Sequence, residues 1–404
     1  MHSIGAPLSE ATLGIILNQL IIKLITELGN IAAITNVYFV YKVCPMTTVP
    51  SLRFPIALPR FATRLLLSSS AATLLLIPTL SAAADTQIRF QLDWRFEGPS
   101  APFLMAAEKG YFADEGLDVQ IDSGSGSAGA INRVASGAYE MGFGDLNALI
   151  EFLAENPEGP GIQGVYIVYD GTPAAVFARK ESGIDSPADL AGKTIAAPAF
   201  DTGYRAWGVF AAANDLEADA VEWQNVDPTL RETLLTRGDV DAITGFYFTS
   251  LLNLEERGMS EEELTIMPFP DYGVPLYGNA IIASESFAEA NPDAVQGFLR
   301  AFNRALGETI ADPDAAIEYV KNRDGLIDVE METRRLKLAL DSVVDTPDAR
   351  EHGVGDVDNE RLGQAIQLVA DAYDLPSVPS SEQVFNARFL PSQEERMLFS
   401  TEGE

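Results

Sequence analysis

Cysteine and histidine are almost absent from this chain of 404 residues. It contains one cysteine, Cys44, and two histidines, His2 and His352, so residues 85–404 have no cysteine and a single histidine. Disulfides, thiolate nucleophiles, zinc sites and Ser-His-Asp catalysis therefore lose the side chains that they require. We expect no catalytic residues, no metal ion and no cofactor.

Basic side chains are also scarce, because 27 Lys and Arg stand against 59 Asp and Glu. Residues 85–404 carry 22 basic and 57 acidic side chains, a net charge of −35. This charge excludes a nucleic acid or an anionic membrane surface as a partner of that part of the chain, and it favours a soluble monomer. With 47% hydrophobic residues, the chain is long enough to bury two or more cores.

The segment 46–84 has the design of a secretory signal peptide. Arg53, Arg60 and Arg64 precede an apolar stretch from Leu65 to Leu80, and Ala82-Ala83-Ala84 supplies small residues for cleavage near Ala84. A membrane anchor is the alternative, but the stretch of about 16 residues is shorter than the roughly 20 that span a bilayer. No cysteine at the cleavage site could carry a lipid, so we expect a free protein in an exported compartment, the periplasm.

Residues 1–45 fit no signal design, since Lys23, Glu27 and Lys42 interrupt their apolar stretch. One interpretation is an over-extended start, with Met46 as the true first residue, and the other is an additional membrane helix. A complete signal design follows directly, which favours the first interpretation.

From residue 87 onward, short apolar runs alternate with helical patterns, which is typical of α/β folds with helices on the faces of a parallel sheet. Residues 136–145 and 237–246 also align without a gap, each reading as the end of a helix, a glycine, an acidic residue and an apolar strand. This repeat predicts two similar α/β units in series, followed by a helical region after residue 292.

Two α/β lobes form a cleft, and ligands of open α/β sheets bind beyond the carboxyl ends of the strands. Aromatic and polar side chains follow the predicted strands at these positions, and aromatic residues there favour a flat or cationic ligand over a small inorganic anion. Structural roles are the alternative: Trp94 could lie in a core, Asp145 could cap a helix, and the turn Asp122–Ser127 could be an ordinary surface loop. The residues singled out at strand ends are Trp94, Arg95, Ser125, Ser127, Asp145, Asn147, Thr202, Tyr204 and Phe246.

Several segments resemble the periplasmic substrate-binding proteins of nitrate/sulfonate/taurine-type ABC importers. They are Gln91–Trp94, Ala107–Val119 with its Gly-Tyr-Phe-x-x-Glu-Gly-Leu-Asp-Val stretch, the Gly-Ser turn, Gly144-Asp145 and Leu190–Thr194. The same superfamily includes binding proteins for thiamine-precursor pyrimidines and the thiamine-pyrimidine synthases. Leu92-Asp93-Trp94 and Tyr272–Tyr277, which is similar to a Tyr-Gly-Val-Pro-x-Tyr segment, favour that pyrimidine branch.

The resemblance implies a two-lobed type II periplasmic binding fold, in which each lobe is a mostly parallel sheet flanked by helices and the ligand cleft lies between the lobes. The chain would cross between the lobes twice, near Ala175–Ala178 and Asn279–Ala283. Residues 85–176 and 283–404 would then form lobe 1, and residues 177–282 would form lobe 2. The resemblance also adds Tyr277 and Asn279 to the site. Trp94 and Tyr204 would flank the ligand, Phe246 and Tyr277 would be further walls, and Ser125, Ser127, Asp145, Thr202 and Asn279 would supply hydrogen bonds.

The function implied is capture of a small molecule by hinge closure and its delivery to an ABC permease and its ATPase. The ligand is open between a thiamine-precursor-like pyrimidine, stacked on aromatic rings, and a sulfonate such as taurine, paired with Arg95 and Arg205. The alternatives are a thiamine-pyrimidine synthase-like enzyme and the ligand-sensing module of a signalling receptor. In the synthases, a histidine and a lysine hold the cofactor and a cysteine cluster binds iron. This sequence has no cysteine beyond Cys44, and His352 lies outside the matched region.

Overall fold

A computed structural model of the chain describes residues 85–399. The predicted signal peptide of residues 46–84 and the extension of residues 1–45 lie outside the described residues. Among the helices of residues 85–399, none combines the length and the apolar character needed to cross a bilayer.

The first lobe is built on a five-stranded sheet in the order β2-β1-β3-β10-β4. Strand β1 pairs in parallel with β2 and β3, whereas β10 runs antiparallel to both β3 and β4. Its strands are β1 (Thr86–Gln91), β2 (Leu117–Asp122), β3 (Met141–Asp145), β4 (Ile162–Ile167) and β10 (Asn279–Ser284), and its first helices are α1 (Ala101–Glu108), α2 (Tyr111–Asp114), α3 (Ser127–Ala135) and α4 (Leu146–Glu155).

The second lobe repeats this arrangement in a sheet of order β7-β6-β8-β5-β9. Strand β6 pairs in parallel with β7 and β8, and β5 runs antiparallel to β8 and β9. Its strands are β5 (Ala174–Arg179), β6 (Thr194–Ala197), β7 (Glu222–Asn225), β8 (Ala242–Phe246) and β9 (Leu264–Pro268), and its helices are α5 (Thr202–Arg205), α6 (Trp207–Ala213), α7 (Arg231–Arg237) and α8 (Tyr247–Glu256).

The rest of the described chain after β10 is helical. The helices are α9 (Glu285–Ala290), α10 (Pro292–Ala311), α11 (Pro313–Arg323), α12 (Val329–Ala339), α13 (Pro347–His352), α14 (Asn359–Ala372), α15 (Ser381–Val384) and α16 (Gln393–Arg396). A π-helical turn, Leu340–Val344, continues α12, and short 3₁₀ turns include Gly98–Ser100 and Phe269–Tyr272.

The internal repeat corresponds to the central strands of the two sheets. Strands β3 and β8 occupy the same position in their sheets, and each follows a helix that ends at a left-handed glycine, Gly137 or Gly238, with φ of 73° in both cases. Both sheets are mixed rather than purely parallel, because β10 and β5 enter them from the opposite direction after the chain has crossed between lobes. Two lobes of one topology therefore face each other with equivalent strand ends.

The two crossings lie earlier in the chain than the predicted ones. The chain leaves the first sheet after β4 and enters the second at Ala174, so the first crossing covers residues 168–173, and the return covers residues 269–278. The segments predicted as crossings, Ala175–Ala178 and Asn279–Ala283, are buried interior strands. Apart from Asn279 their residues are apolar, because each strand packs between two neighbouring strands in the interior of its sheet.

The helical region packs on both lobes, whereas the prediction assigned it to lobe 1. Helices α10 and α11 contact α1 of the first lobe, but α12 contacts α8, and α14 contacts both α4 and α6. Leu362, Ile366 and Val369 of α14 belong to a buried cluster that contains side chains of both lobes. The C-terminal helices therefore contact both lobes and join them.

Candidate functional site

A cavity of about 790 Å³, part of it open to solvent, lies where the carboxyl ends of the strands of the two lobes meet. The first lobe supplies the segment after β1 and the start of α3, and the second supplies the segments after β6 and β8. The side chains used below are Asp93, Trp94, Arg95, Glu97, Phe103 and Ser127 from the first lobe, and Phe200, Asp201, Thr202, Arg231 and Phe246 from the second.

Aromatic rings form much of the cavity wall. Trp94 of the first lobe and Phe200 of the second face each other, with ring centroids 6.4 Å apart and planes inclined by 48°. Phe246 packs edge-on against Phe248 at 5.7 Å, and both line the cavity. The indole Nε1 of Trp94 donates a hydrogen bond of 3.2 Å to Glu97. The ring of Trp94 is thereby held in place at the boundary between the lobes.

Two carboxyl groups lie in the first-lobe wall. Asp93 accepts a hydrogen bond of 2.7 Å from Nδ2 of the fully buried Asn279 on β10. Burial raises the pKa of Asp93 to about 7, with Asp145 and Glu97 adding to the rise and the Asn279 hydrogen bond opposing it. Burial also raises the pKa of Glu97, while the Arg335 guanidinium opposes that shift. The cavity thus holds acids that take up a proton far more readily than ordinary carboxylates.

The second-lobe wall contains a buried charged network around Arg231. Its guanidinium donates to Asp201 at 2.9 Å, to Glu232 at 2.7 Å and to the hydroxyl of Ser250 at 2.9 Å. Thr244 donates to the other oxygen of Asp201 at 2.7 Å. Two carboxylates therefore neutralise the single cation of this wall, which leaves no net positive charge there.

The other two arginines near the cleft differ in their pairing. Arg205 forms an ion pair with Glu151, so it is not free to bind an anionic ligand. Arg95 lies with its guanidinium carbon 5.5 Å from the centroid of the Trp94 ring and forms no ion pair within residues 85–399. Arg95 is thus the one lining guanidinium of the described chain whose charge no carboxylate neutralises directly.

The glycine-rich turn before α3 closes on the end of β1. Gly124 donates its N–H to the carbonyl of Trp94 at 2.8 Å, and Gly126 donates to the carbonyl of Asp93 at 2.6 Å. A Cβ on Gly124 would lie 2.0 Å from the carbonyl oxygen of Leu92, so only glycine fits at this approach. These N–H groups hold the turn against the end of β1 and are not free for a ligand.

A second, smaller cavity adjoins the first and shares Ser127, Phe200 and Thr202 with it. It is bordered by Asp145, Asn147, Glu151, Arg205 and Tyr373. Asp145 caps α4 through hydrogen bonds from the N–H groups of Asn147 and Ala148, which agrees with the capping alternative. Burial raises the pKa of Asp145 to about 6, against these hydrogen bonds.

The structure brings only some of the predicted residues to the cavities. Trp94, Arg95, Ser127, Thr202 and Phe246 line the main cavity, while Asp145 and Asn147 line only the smaller one. Asn279 lines neither cavity, but it donates a hydrogen bond to Asp93, which lines the main one.

Besides Asn279, three predicted residues line neither cavity. Ser125 is exposed on the turn before α3. Tyr204 packs edge-on against Trp223 at 4.8 Å, because its helix turns the ring toward β7. Tyr277 is fully buried at the second crossing, where its hydroxyl accepts a hydrogen bond from the N–H of Asp358 and Arg361 lies 3.9 Å above its ring. The prediction that Tyr204 and Tyr277 are walls of the cleft is therefore corrected.

Strand-end reasoning did not single out Asp93, Glu97, Phe200, Asp201 or Arg231, although all five line the cavity. Asp93 and Phe200-Asp201 belong to strand-end segments and could have been found there. Arg231 lies at the first position of α7, and nothing in its neighbourhood along the chain indicates that Asp201 approaches it. Within residues 85–399, no group of three or more His, Cys, Asp or Glu side chains is arranged to hold a metal ion.

Solved structures with this fold include sulfonate-binding proteins. The alkanesulfonate-binding protein SsuA of Xanthomonas axonopodis, bound to MOPS, superposes with a TM-score of 0.59 at 16% identity, covering 76% of this chain and all of that one. The aliphatic sulphonate-binding protein SsuA of Escherichia coli also has a TM-score of 0.59, at 14% identity, covering 76% of this chain and 94% of that one. These likenesses confirm the predicted two-lobed periplasmic binding fold.

Relatives in sequence include both binding proteins and enzymes. The formylaminopyrimidine-binding protein of Halalkalibacterium halodurans is 27% identical over 58% of this chain and 69% of its own length, and the riboflavin-binding protein RibY of Chloroflexus aurantiacus is 26% identical over 72% and 82%. A 4-amino-5-hydroxymethyl-2-methylpyrimidine phosphate synthase of Aspergillus parasiticus is 27% identical over 57% and 69%. The family described as NMT1/THI5 like matches residues 98–316. The chain is a periplasmic-binding-protein-like ligand binder, and it belongs to the NMT1/THI5-like family.

Proposed function

We propose that this protein captures an aromatic nitrogen heterocycle with an exocyclic amino group, foremost an aminopyrimidine of the thiamine-precursor type. The observation that carries the proposal is the pair of half-buried carboxyl groups, Asp93 and Glu97, in the wall of an aromatic cavity. A carboxyl group can accept a hydrogen bond from an amino group and, when protonated, donate one to a ring nitrogen. Both roles are available near pH 7 for an acid such as Asp93.

Charge disfavours a sulfonate in the same cavity. The lining has Asp93, Glu97 and Asp201 as acids, and Arg231 is already neutralised by Asp201 and Glu232. A permanently anionic ligand could pair only with Arg95. It would also lie beside the carboxyl groups of the lining, and the burial of like charges next to each other is costly. A neutral heterocycle meets no such penalty.

The aromatic wall supplies the remaining affinity. A ring stacked on Trp94 gains about 0.5–1.5 kcal/mol beyond its apolar burial, and Phe200 on the other lobe adds a second contact once the lobes are close. Trp94 donates a hydrogen bond to Glu97 and directly follows Asp93 in the chain. A ligand ring stacked on Trp94 therefore has these two acidic groups near its edge.

Closure of the two lobes on the ligand is the proposed working motion, driven by contacts that exist only in the closed state. The role that follows is that of an exported, monomeric solute-binding protein that delivers its ligand to an ABC permease and its ATPase. The binding proteins among the relatives, the fold and the acidic composition support this role.

A pyrimidine synthase is the second candidate, because several relatives carry that name. Family resemblance implies a histidine and a lysine in such enzymes, and neither residue type is among the cavity-lining residues of the described chain. The side chain of His352 is 58% exposed on α13 and lines neither cavity. These placements support the binding role over the enzymatic one.

Isothermal titration of the purified protein with 4-amino-2-methylpyrimidines, riboflavin, taurine and longer alkanesulfonates tests the proposal. We expect an aminopyrimidine to bind and to raise the melting temperature, since a ligand at 100 times its Kd adds about 2.7 kcal/mol of stability. Binding of sulfonates without binding of any pyrimidine would overturn the ligand assignment. Formation of a pyrimidine by the protein from compounds that contain no pyrimidine ring would favour the enzyme.

A further inference from the structure

We propose that the smaller cavity is a subsite for a short, uncharged polar substituent of the ring ligand, such as a hydroxymethyl or formamido group. This inference deepens the proposed function and depends on it. The two cavities share Ser127, Phe200 and Thr202, so a ring in the main cavity can extend a substituent into the smaller one. The smaller space is about 340 Å³ with its solvent-open part, less than half of the volume of the main cavity measured in the same way.

A buried and unpartnered acceptor points to a ligand at this place. Asn147 lines the smaller cavity and is 8% exposed. Its Nδ2 donates to the carbonyl of Tyr277 at 2.7 Å and to Asp145 at 3.4 Å, which fixes the orientation of the amide. Its Oδ1 has no hydrogen-bond partner within residues 85–399. A buried acceptor without a partner is costly, and a hydroxyl or N–H of the ligand would satisfy it.

A donor in the same cavity is also unsatisfied. Arg205 pairs with Glu151 through its terminal nitrogen, whereas its buried Nε has no hydrogen-bond partner in the described part of the chain. One free acceptor and one free donor together match a group that both donates and accepts, as a hydroxyl or a formamide does.

Two hydroxyl groups lie at the junction between the cavities. Ser127 comes from the start of α3 and Thr202 from the start of α5, and both residues are buried. Neither hydroxyl takes part in a hydrogen bond with another of the residues from 85 to 399, so each can bond to a substituent that passes between them. Because one hydroxyl belongs to each lobe, a substituent bound here would also favour the closed arrangement.

The charges around the smaller cavity define the substituent further. Asp145 and Glu151 face a single cation, Arg205, so carboxylates outnumber guanidinium groups. A phosphate or carboxylate substituent would be repelled, and a purely apolar one would leave the Asn147 and Arg205 atoms unpartnered. An uncharged polar substituent is the class that remains.

The test compares two pyrimidines that differ in this substituent alone. They are 4-amino-5-hydroxymethyl-2-methylpyrimidine and 4-amino-2,5-dimethylpyrimidine, titrated into the protein by calorimetry. We expect the hydroxymethyl compound to bind about ten-fold tighter or more, because sites built for a hydroxyl reject analogues that lack it. Ser127→Ala and Asn147→Ala are expected to reduce this ratio to about two-fold or less.

Ser125→Ala is the matched control, because Ser125 is exposed on the same turn two residues away and lines neither cavity. It should keep the wild-type ratio. If Asn147→Ala does not fold, Ser127→Ala alone carries the test, since removal of that unbonded hydroxyl disturbs no hydrogen bond of the described chain.

The outcomes separate the two proposals. Equal affinity of the wild-type protein for both pyrimidines would overturn the subsite and leave the proposed function standing. A preference that survives both Ser127→Ala and Asn147→Ala would overturn the assignment of the subsite to this cavity. Failure of both pyrimidines to bind would overturn the proposed function and the subsite with it.

Discussion

Gly126 of the first lobe lies directly against the ring of Phe200 in the second lobe. A Cβ placed on Gly126 would be 2.8 Å from Cδ2 of Phe200, and the φ of Gly126 is +128°. Both the close approach and this backbone conformation favour glycine. The contact joins the turn before α3 to the segment before α5 at the boundary of the main cavity.

Gly126→Ala should therefore weaken ligand binding about ten-fold or more, because the added methyl group obstructs approach of Phe200. Strain at positive φ should also lower the stability by about 1–3 kcal/mol. Calorimetric titration measures the affinity, and urea unfolding measures the stability. In small-angle X-ray scattering with ligand present, the variant should have a larger radius of gyration than the wild-type protein. Gly129→Ala is the control, because a Cβ added to this glycine of α3 would meet no atom within 4 Å, and it should bind normally. Equal affinity of both variants would contradict the closure role of Gly126.

Trp94→Ala should reduce the affinity for an aminopyrimidine about ten-fold and abolish quenching of tryptophan fluorescence by the ligand. The other two tryptophans, Trp207 and Trp223, pack against each other at 5.5 Å in the second lobe and line neither cavity. In calorimetric titration, Trp94→Phe as the conservative control should retain most of the affinity. Unchanged binding by Trp94→Ala would refute stacking on this ring.

Asp93→Asn should make stability less dependent on pH. The pKa of Asp93 is raised to about 7, above its ordinary value near 4, so between these values the folded state binds more protons than the unfolded state. Stability therefore falls as pH rises from about 4 to 7, and this fall is absent for asparagine at that site. Urea unfolding at several pH values measures the difference between the proteins. Asp145, with a pKa of about 6, acts in the same direction and leaves a smaller slope in the variant. Identical slopes would contradict the raised pKa of Asp93.

Arg335→Met should destabilise the fold by about 3–5 kcal/mol, because it leaves buried carboxyl groups uncompensated. Arg335 is 1% exposed, donates to Glu332 at 3.1 Å and to the carbonyl of Thr249 at 3.2 Å, and lies 3.6 Å from Glu97. It thereby joins α12 to both lobes next to the main cavity.

The neighbouring Arg334 provides a matched control for this measurement. Its side chain is 52% exposed and pairs with Glu255 on the surface. Arg334→Met should therefore cost about 1 kcal/mol or less in guanidinium unfolding. A similar loss in both variants would contradict the special role of the buried arginine.

Local patterns along the chain predicted much of the fold. The repeat of residues 136–145 and 237–246 identified the two central strands, and apolar runs located most of the others. Strand β9 was missed, because Leu264–Pro268 is a short edge strand directly after the acidic turn Glu261–Glu263. Edge strands need no continuous apolar run, so periodicity indicates them weakly.

Part of the candidate site could also be predicted from local patterns along the chain. The strand-end rule found Trp94, Ser127 and Phe246, because it depends only on where a strand stops. It could not tell which way a side chain turns after that point, so it included Tyr204, and the family resemblance added Tyr277. The ring of Tyr204 faces Trp223, and that of Tyr277 supports the second crossing beneath Arg361.

The sequence by itself determined the α/β class, the two similar units, the acid excess and the concentration of aromatic residues at strand ends. Periodicity, helix-ending glycines and composition are local properties, and they need no knowledge of distant neighbours. Only the tertiary structure decided which charges remain free in the cleft. Asn279 reaches Asp93 from 186 residues away, and Arg231 meets Asp201 from 30 residues away. Such pairings arise from the packing of whole lobes, and they make the cavity acidic and aromatic instead of cationic.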